Sequence, residues 1–194
     1  MGELLTDKHD AAKQEGPMTE LSNTMNQAVK SIGSKDGKYL TFSLAGEEYG
    51  ISILKVKEII GIMAITPVPQ TAGYVKGVIN LRGKVIPIID LRTKFAMEST
   101  AHTERTCIIV VEITSGERKI MMGIIVDSVS EVLNIKAADI ADTPTFGAKM
   151  DTAYILGMAK MGGGVKILLD IDSVLSNREI EDVASTPKSI VDTA

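Results

Sequence analysis

The chain has 194 residues, 44% of them hydrophobic, with 21 basic against 25 acidic residues and a formal net charge of −4. That balance argues against a nucleic-acid partner, which needs a concentrated basic surface, and the 4% of aromatics with no tryptophan offers no base-stacking platform. No apolar run reaches the roughly 18–20 residues of a bilayer span, no secretory leader opens the chain, and the lone Cys107 allows no internal disulfide, so a cytoplasmic protein without direct membrane insertion is expected.

Residues 1–37 are polar, poor in large aliphatics and broken by Gly16-Pro17, Gly33-Ser34 and Asp36-Gly37, the composition of a flexible N-terminal arm. Gly2 and Thr6 fit a myristoylation pattern too short to carry weight. Order is expected from Lys38. Tyr39 to Leu44 alternates as a strand, Ala45-Gly46-Glu47-Glu48 turns, and Tyr49 to Ile53 returns, giving a hairpin. Leu54 to Ile60 fits either a strand or a helical turn followed by one, and Ile65-Thr66-Pro67-Val68-Pro69 is an extended connector.

Gly77 to Leu91 reads as strand, tight turn, strand. Gly83 suits a position of positive φ, and Val85, Ile86, Ile88 and Ile89 are β-branched. Pro87 cannot donate to a ladder, which places this strand at an edge or a bulge. The stretch recurs without a gap at Gly157 to Ile171, an offset of 80 residues (157 − 77). Where the first copy has Leu81-Arg82-Gly83-Lys84, the second has Met161-Gly162-Gly163-Gly164. Glycine alone builds such a turn, so Arg82 exceeds what the turn requires and is the first candidate for recognition.

A helical turn is expected from Leu91 to Phe95, then an irregular charged segment from Arg92 to Arg105. Thr106 to Ile113 and Arg118 to Val126 form a second hairpin across Thr114-Ser115-Gly116-Glu117. Met122-Gly123-Ile124 matches Tyr49-Gly50-Ile51, and Val129, Glu131, Val132 and Leu133 match Val56, Glu58, Ile59 and Ile60 at an offset of 73 (129 − 56). Two halves, about 38–95 and 105–175, therefore share the order hairpin, connecting strand, glycine turn, final strand. Short strands between turn signals indicate small β-barrels or a sandwich, and units this small are expected to pack together. Asp172 to Asp182 reads as a short helix capped by Asp172 or Ser173, and 183–194 as a flexible tail.

The residues assemble no catalytic constellation. His9 and His102 lack metal-ligand spacing to a second His or Cys, and Cys107 opens an apolar strand as a small hydrophobe. Gly162-Gly163-Gly164 precedes a strand rather than the helix a phosphate loop requires. Asp90 and Asp170 recur at one structural position, so a structural role is expected of them and of Asp172. No enzyme, cofactor or metal is expected; sheet edges and the seam between barrels leave binding as the function.

Asn80-Leu81-Arg82-Gly83 followed by Val85-Ile86-Pro87-Ile88-Ile89-Asp90-Leu91 resembles the CheW family of bacterial chemotaxis coupling proteins. So do Glu48-Tyr49-Gly50-Ile51, Val56-Lys57-Glu58-Ile59, Ile65-Thr66-Pro67-Val68-Pro69 and Gly123-Ile124-Ile125-Val126-Asp127. The resemblance covers about Lys38 to Asp182. It implies an all-β fold of two packed five-stranded SH3-like barrels with short helices, and a non-enzymatic adaptor. Its implied partners are the cytoplasmic tip of a chemoreceptor and the regulatory domain of the histidine kinase CheA, with recruitment to membrane-associated receptor arrays. Carried onto this sequence, the receptor would contact Ile53, Val56 and Ile59 in a groove between the barrels, with Gly77, Asn80 and Arg82 at its rim and Glu58 and Leu81 in the same set. Glu58 is expected beside Arg82, orienting it. The loop Thr143-Pro144-Thr145-Phe146-Gly147 resembles one that reaches the kinase, making Pro144 and Phe146 the kinase-binding candidates, although a basic residue common before that loop is Ala141 here. No receiver-length segment follows Asp182, so the receiver-fused form of this fold is not expected. An RNA-binding SH3-like module is the alternative from another class.

Overall fold

The computed structural model describes residues 35–143, 152–175 and 179–180. The expected arm up to Ser34, the tail from 183, and Pro144 and Phe146 lie outside the described residues. Lys35 and Asp36, read with the arm, are anchored: Lys35 Nζ meets Asp142 Oδ1 at 2.8 Å, and the Tyr39 hydroxyl donates to the Lys35 carbonyl at 2.7 Å.

The first hairpin is β1 (Gly37–Leu44) and β2 (Glu47–Ser52). Of the two readings left open for the next stretch, the structure has the second: a 3₁₀ turn at Ile53–Lys55, then β3 (Val56–Gly61). The repeated central stretch is β4 (Val75–Leu81) and β5 (Lys84–Asp90), followed by the single helical turn α1 (Leu91–Lys94). The second half supplies β6 (Cys107–Ser115), β7 (Arg118–Val126), β8 (Ser128–Ile135), the two-residue β9 (Ile140–Ala141), β10 (Ile155–Met161) and β11 (Gly164–Leu169).

These strands form two sheets, ordered β8-β1-β2-β11-β10-β9 and β3-β6-β7-β5-β4. The sequence offsets map one order onto the other, with β8 standing for β3, β1 for β6, β2 for β7, β11 for β5 and β10 for β4. The equivalence holds residue by residue. Gly50 faces Leu168 across a parallel pairing of β2 with β11, and Gly123 faces Ile88 across that of β7 with β5. Even the sixth strand has a counterpart, since β9 pairs Ala141 with Met158 where Thr66 bridges Val78 in the other sheet. The fold is thus a pair of packed, all-β SH3-like barrels.

The halves 38–95 and 105–175 do not each close a barrel of their own. Each sheet takes the hairpin of one half and the final two strands of the other. The physical reason lies in the core. The largest buried cluster joins Phe42, Leu44 and Ile51 from the first half to Ile109, Val111, Ile124 and Val126 from the second, and separate smaller clusters fill the two barrels.

Two further expectations change. β5 is an interior strand, not an edge, although it carries Pro87, and the bulge of this strand pair falls in β4, between Val75 and Gly77, not at Pro87 itself. Val78, opposite Pro87, exchanges both its backbone bonds with Thr66 on its far side, so the Val78–Pro87 pair is a non-hydrogen-bonded one. On its other flank, the parallel pairing of β5 with β7 starts only at Ile88, so no ladder bond needs the missing N–H. Residues 171–175 are turns rather than helix, and helical conformation is found at residues 179 and 180. Asp170, not Asp172, holds that turn, accepting from the Asp172 N–H at 3.1 Å and the Ser173 hydroxyl at 2.8 Å. Its repeat partner Asp90 caps α1 in the same way, accepting from the N–H groups of Arg92 and Thr93 at 2.9 and 3.3 Å.

Candidate functional site

The β4–β5 hairpin closes through two residues at positive φ, Arg82 at 53° and Gly83 at 82°, the twist that suits a two-residue hairpin loop. Asn80 Oδ1 accepts the Gly83 N–H at 2.8 Å and pins the turn. An L side chain in this left-handed region costs about 1–2 kcal/mol, and the matching residue of the β10–β11 turn is Gly162 at φ 59°. Arg82 is therefore a residue the turn tolerates rather than requires.

Its side chain crosses from the hairpin tip to β3. Arg82 Nη1 donates to Glu58 Oε2 at 3.0 Å and Nη2 to Glu58 Oε1 at 2.6 Å. This is the pairing of Glu58 with Arg82 that their charged intrusion into aliphatic segments suggests. The Arg82 side chain stays 77% exposed and that of Glu58 27%, so a two-point contact holds a cation in place on an open surface. Lys57, the neighbour of Glu58, hydrogen-bonds Glu112 and, with Lys119, holds that carboxyl below its ordinary range.

The remaining expected site residues lie on the 3₁₀ turn, β3 and β4. Ile53 and Val56 are half-buried against the shared core, and Leu81 packs on the core of the second sheet. Ile59 is 45% exposed on the outward side of β3, and Asn80 is exposed. Gly77 is not at the rim: it is buried, at φ 135°, and a Cβ there would lie 2.0 Å from the Thr66 carbonyl oxygen. It lets β4 pass the connector at Thr66 and offers no side-chain contact.

The sequence reading missed four exposed aliphatics. Leu54, 85% exposed, is presented by the 3₁₀ turn. Val85, Val132 and Val165 are 42%, 48% and 50% exposed. The signal for the last three was available, because the offsets of 73 and 80 map Ile59 onto Val132 and Val85 onto Val165. Each sheet thus leaves the same pair of aliphatics uncovered. Only the sheet of Ile59 and Val85 has the arginine, since Glu131 stands where Glu58 does but Gly162 replaces Arg82.

Elsewhere the polar groups do structural work. Arg92 donates to both Asp127 oxygens at 2.7 and 2.6 Å, and Asp127 Oδ2 also accepts the Ala45 N–H at 2.8 Å. These bonds, Arg92 first, hold the Asp127 carboxyl below its ordinary range against the opposing effect of burial. Burial pushes the half-buried Cys107 thiol up, away from the thiolate a nucleophile needs. Among the described residues no group of His, Cys, Asp and Glu is placed to hold a metal ion, and no helix is long and apolar enough to cross a membrane.

The family model for the CheW-like domain matches residues 38–179. The chemotaxis protein CheW of Klebsiella aerogenes is 40% identical over 172 residues, covering 89% of this chain and 99% of that one. CheW of Rhizobium meliloti is 32% identical over 157 residues, covering 81% and 99%. Among solved structures, the scaffolding protein TtCheW of Thermoanaerobacter tengcongensis superposes with a TM-score of 0.65 at 35% identity, covering 73% of this chain and 88% of that one. The interleaved barrels, the arginine-bearing turn and near-full-length matches at this identity lead to one conclusion: the chain belongs to the CheW family.

Proposed function

We propose that this chain is a non-enzymatic adaptor that couples methyl-accepting chemoreceptors to the histidine kinase CheA in bacterial chemotaxis, working in the cytoplasm at receptor arrays. The observation that carries the reading is the repeated exposure of the same aliphatic pair on both sheets, Ile59 with Val85 and Val132 with Val165. A coupling protein needs two docking surfaces held at a fixed spacing, and two packed barrels that each leave an equivalent face uncovered supply them.

The face bearing Arg82 is the receptor surface in this reading. A receptor tip is a helical hairpin, whose apolar positions would meet Ile53, Val56 and Ile59. Arg82, held by Glu58 and Asn80's turn, would fix register by bonding a carboxylate or helix-end carbonyls. CheA's regulatory domain would take the other face, with Pro144 and Phe146 adding kinase contacts. Each contact is modest alone, and an array supplies avidity.

The test is calorimetric titration with a receptor signalling-tip fragment and a CheA regulatory-domain fragment, using the parent and Arg82→Gly. Glycine already occupies the matching turn at Gly162, so this substitution preserves the hairpin. Binding of both fragments by the parent, with receptor affinity alone reduced about tenfold or more in the variant, is expected for loss of a two-point charged contact. A parent that binds neither fragment overturns the adaptor, and equal loss of both moves Arg82 off a receptor-specific surface.

A further inference from the structure

Beside the docking face, one acidic side chain joins three elements that the sequence keeps far apart. Asp172 lies in the turn after β11. Its Oδ2 meets Lys55 Nζ at 2.5 Å and its Oδ1 accepts the Thr114 N–H, at the end of β6, at 2.7 Å. Lys55 Nζ also donates to Thr114 Oγ1 at 3.3 Å. The side chains of Lys55 and Asp172 are 30% and 26% exposed. Both charges are thus partly withdrawn from water, and the carboxylate has a bond on each oxygen.

What this tie holds is the 3₁₀ turn Ile53–Lys55. That turn lacks a side-chain cap, because Ser52 makes no capping bond, and of its three residues only Ile53 packs on the shared core. Three-residue turns of this kind have little stability of their own. Yet this one presents Leu54, 85% exposed, between the two half-buried residues of the docking face. In the other half of the repeat Asp127 follows β7 directly with Ser128 opening β8, so no such turn intervenes. The equivalent place is held by a charge-reversed pair, Arg92 with Asp127, whose carboxylate also accepts the Ala45 N–H, so Lys55 and Asp172 are the version that goes with a turn.

We propose that Asp172 is a positioning residue for receptor docking: through Lys55 and the Thr114 N–H it fixes the Ile53–Lys55 turn, so that Ile53, Leu54 and Val56 meet the receptor helices already arranged. This rests on the receptor face proposed above. Docking apolar anchors held in one arrangement avoids the ordering cost a loose turn would add on binding. Leu54 is then an anchor in its own right.

The experiment combines amide hydrogen exchange of the whole chain with titration against the receptor-tip and CheA regulatory-domain fragments. The variants are Asp172→Asn, Lys55→Ala, their combination, and Leu54→Ala. Asp172→Asn should speed exchange at residues 53–56 and weaken receptor-tip binding about three- to tenfold while leaving kinase-fragment affinity unchanged. Lys55→Ala should do the same, and the double variant should be no weaker than either single one. Leu54→Ala should weaken receptor binding with no change in exchange. Faster exchange with unaltered receptor affinity overturns the proposal, as does parallel loss of both affinities, which would mark a general structural role. A parent that binds no receptor fragment is a different failure, that of the adaptor reading, and the proposal falls with it.

Discussion

Gly50 and Gly123 occupy the same place in the two sheets, on a strand whose parallel neighbour carries Leu168 or Ile88. A Cβ on Gly123 would sit 2.4 Å from Ile88 Cδ1 and 2.8 Å from Ile108 Cγ2, and one on Gly50 would sit 2.9 Å from Leu168 Cδ2. All three of these neighbours are fully enclosed side chains of the cores, where little can yield. Gly123→Ala is therefore expected to destabilise by about 1–3 kcal/mol, the range of core overpacking, and Gly50→Ala by less, since a single δ-methyl must shift. Gly77→Ala should exceed both, because its obstacle is the Thr66 backbone and its φ is positive. Urea unfolding of the three variants gives the order directly. If Gly123→Ala matched the parent, the close approach of β5 to β7 would not be a constraint on the fold.

At the scale of elements, short connections are fixed by carboxylates at repeated positions. Asp90 is 7% exposed and supports α1 through two N–H groups and the Thr93 hydroxyl at 3.1 Å. Asp90→Ala should cost about 1–2 kcal/mol, at the upper end for a lost cap because Lys76 also loses its partner. Asp127 ties α1 to the β1–β2 turn, and its folded pKa lies below that of the unfolded chain. The stability it contributes is therefore fully present above the unfolded carboxylate range, near pH 4, and is lost as pH falls from there through the folded value. Asp127→Asn should be less stable than the parent at pH 7, with the gap narrowing below pH 4. A gap that stayed constant into acid would mean the Arg92 pair adds nothing pH-dependent. These elements were largely readable in the sequence: both hairpins, the recurrence of Asp90 as Asp170, the spare arginine at the turn and its glutamate partner. What escaped was set by tertiary pairing. Nothing local in Pro87 reveals that Val78 turns its bonds toward Thr66, and nothing in Asp172 reveals that its carboxylate goes to Lys55 and Thr114 instead of capping a helix. Val132 and Val165 could be reached only by carrying the repeat offsets over from Ile59 and Val85, since locally they look like core valines.

For the whole molecule, the decisive fact is that the repeat does not coincide with the sheets. Every contact that turns a hairpin into a barrel joins the two halves of the sequence: β1 to β8, β2 to β11, β3 to β6 and β5 to β7. A cut at Ala101, in the exposed segment between α1 and β6, leaves the first piece with the β1–β2 and β4–β5 hairpins alone. The second piece keeps β6–β7, and β10–β11 with only the two-residue β9 beside it. Isolated hairpins are marginal in water, and each piece would expose its share of the joint core. Fragments 1–101 and 102–194 should therefore each lack a cooperative unfolding transition and near-ultraviolet structure. Mixed, they should form a one-to-one complex that regains both, because the interface they would share is the core itself rather than a surface patch. Circular dichroism and calorimetry of the separate and mixed fragments decide the matter. If the first fragment alone folded cooperatively, each half would be an independent barrel after all. The fixed spacing between the two proposed docking faces would then depend on a surface contact between barrels, not on strands exchanged across a shared core.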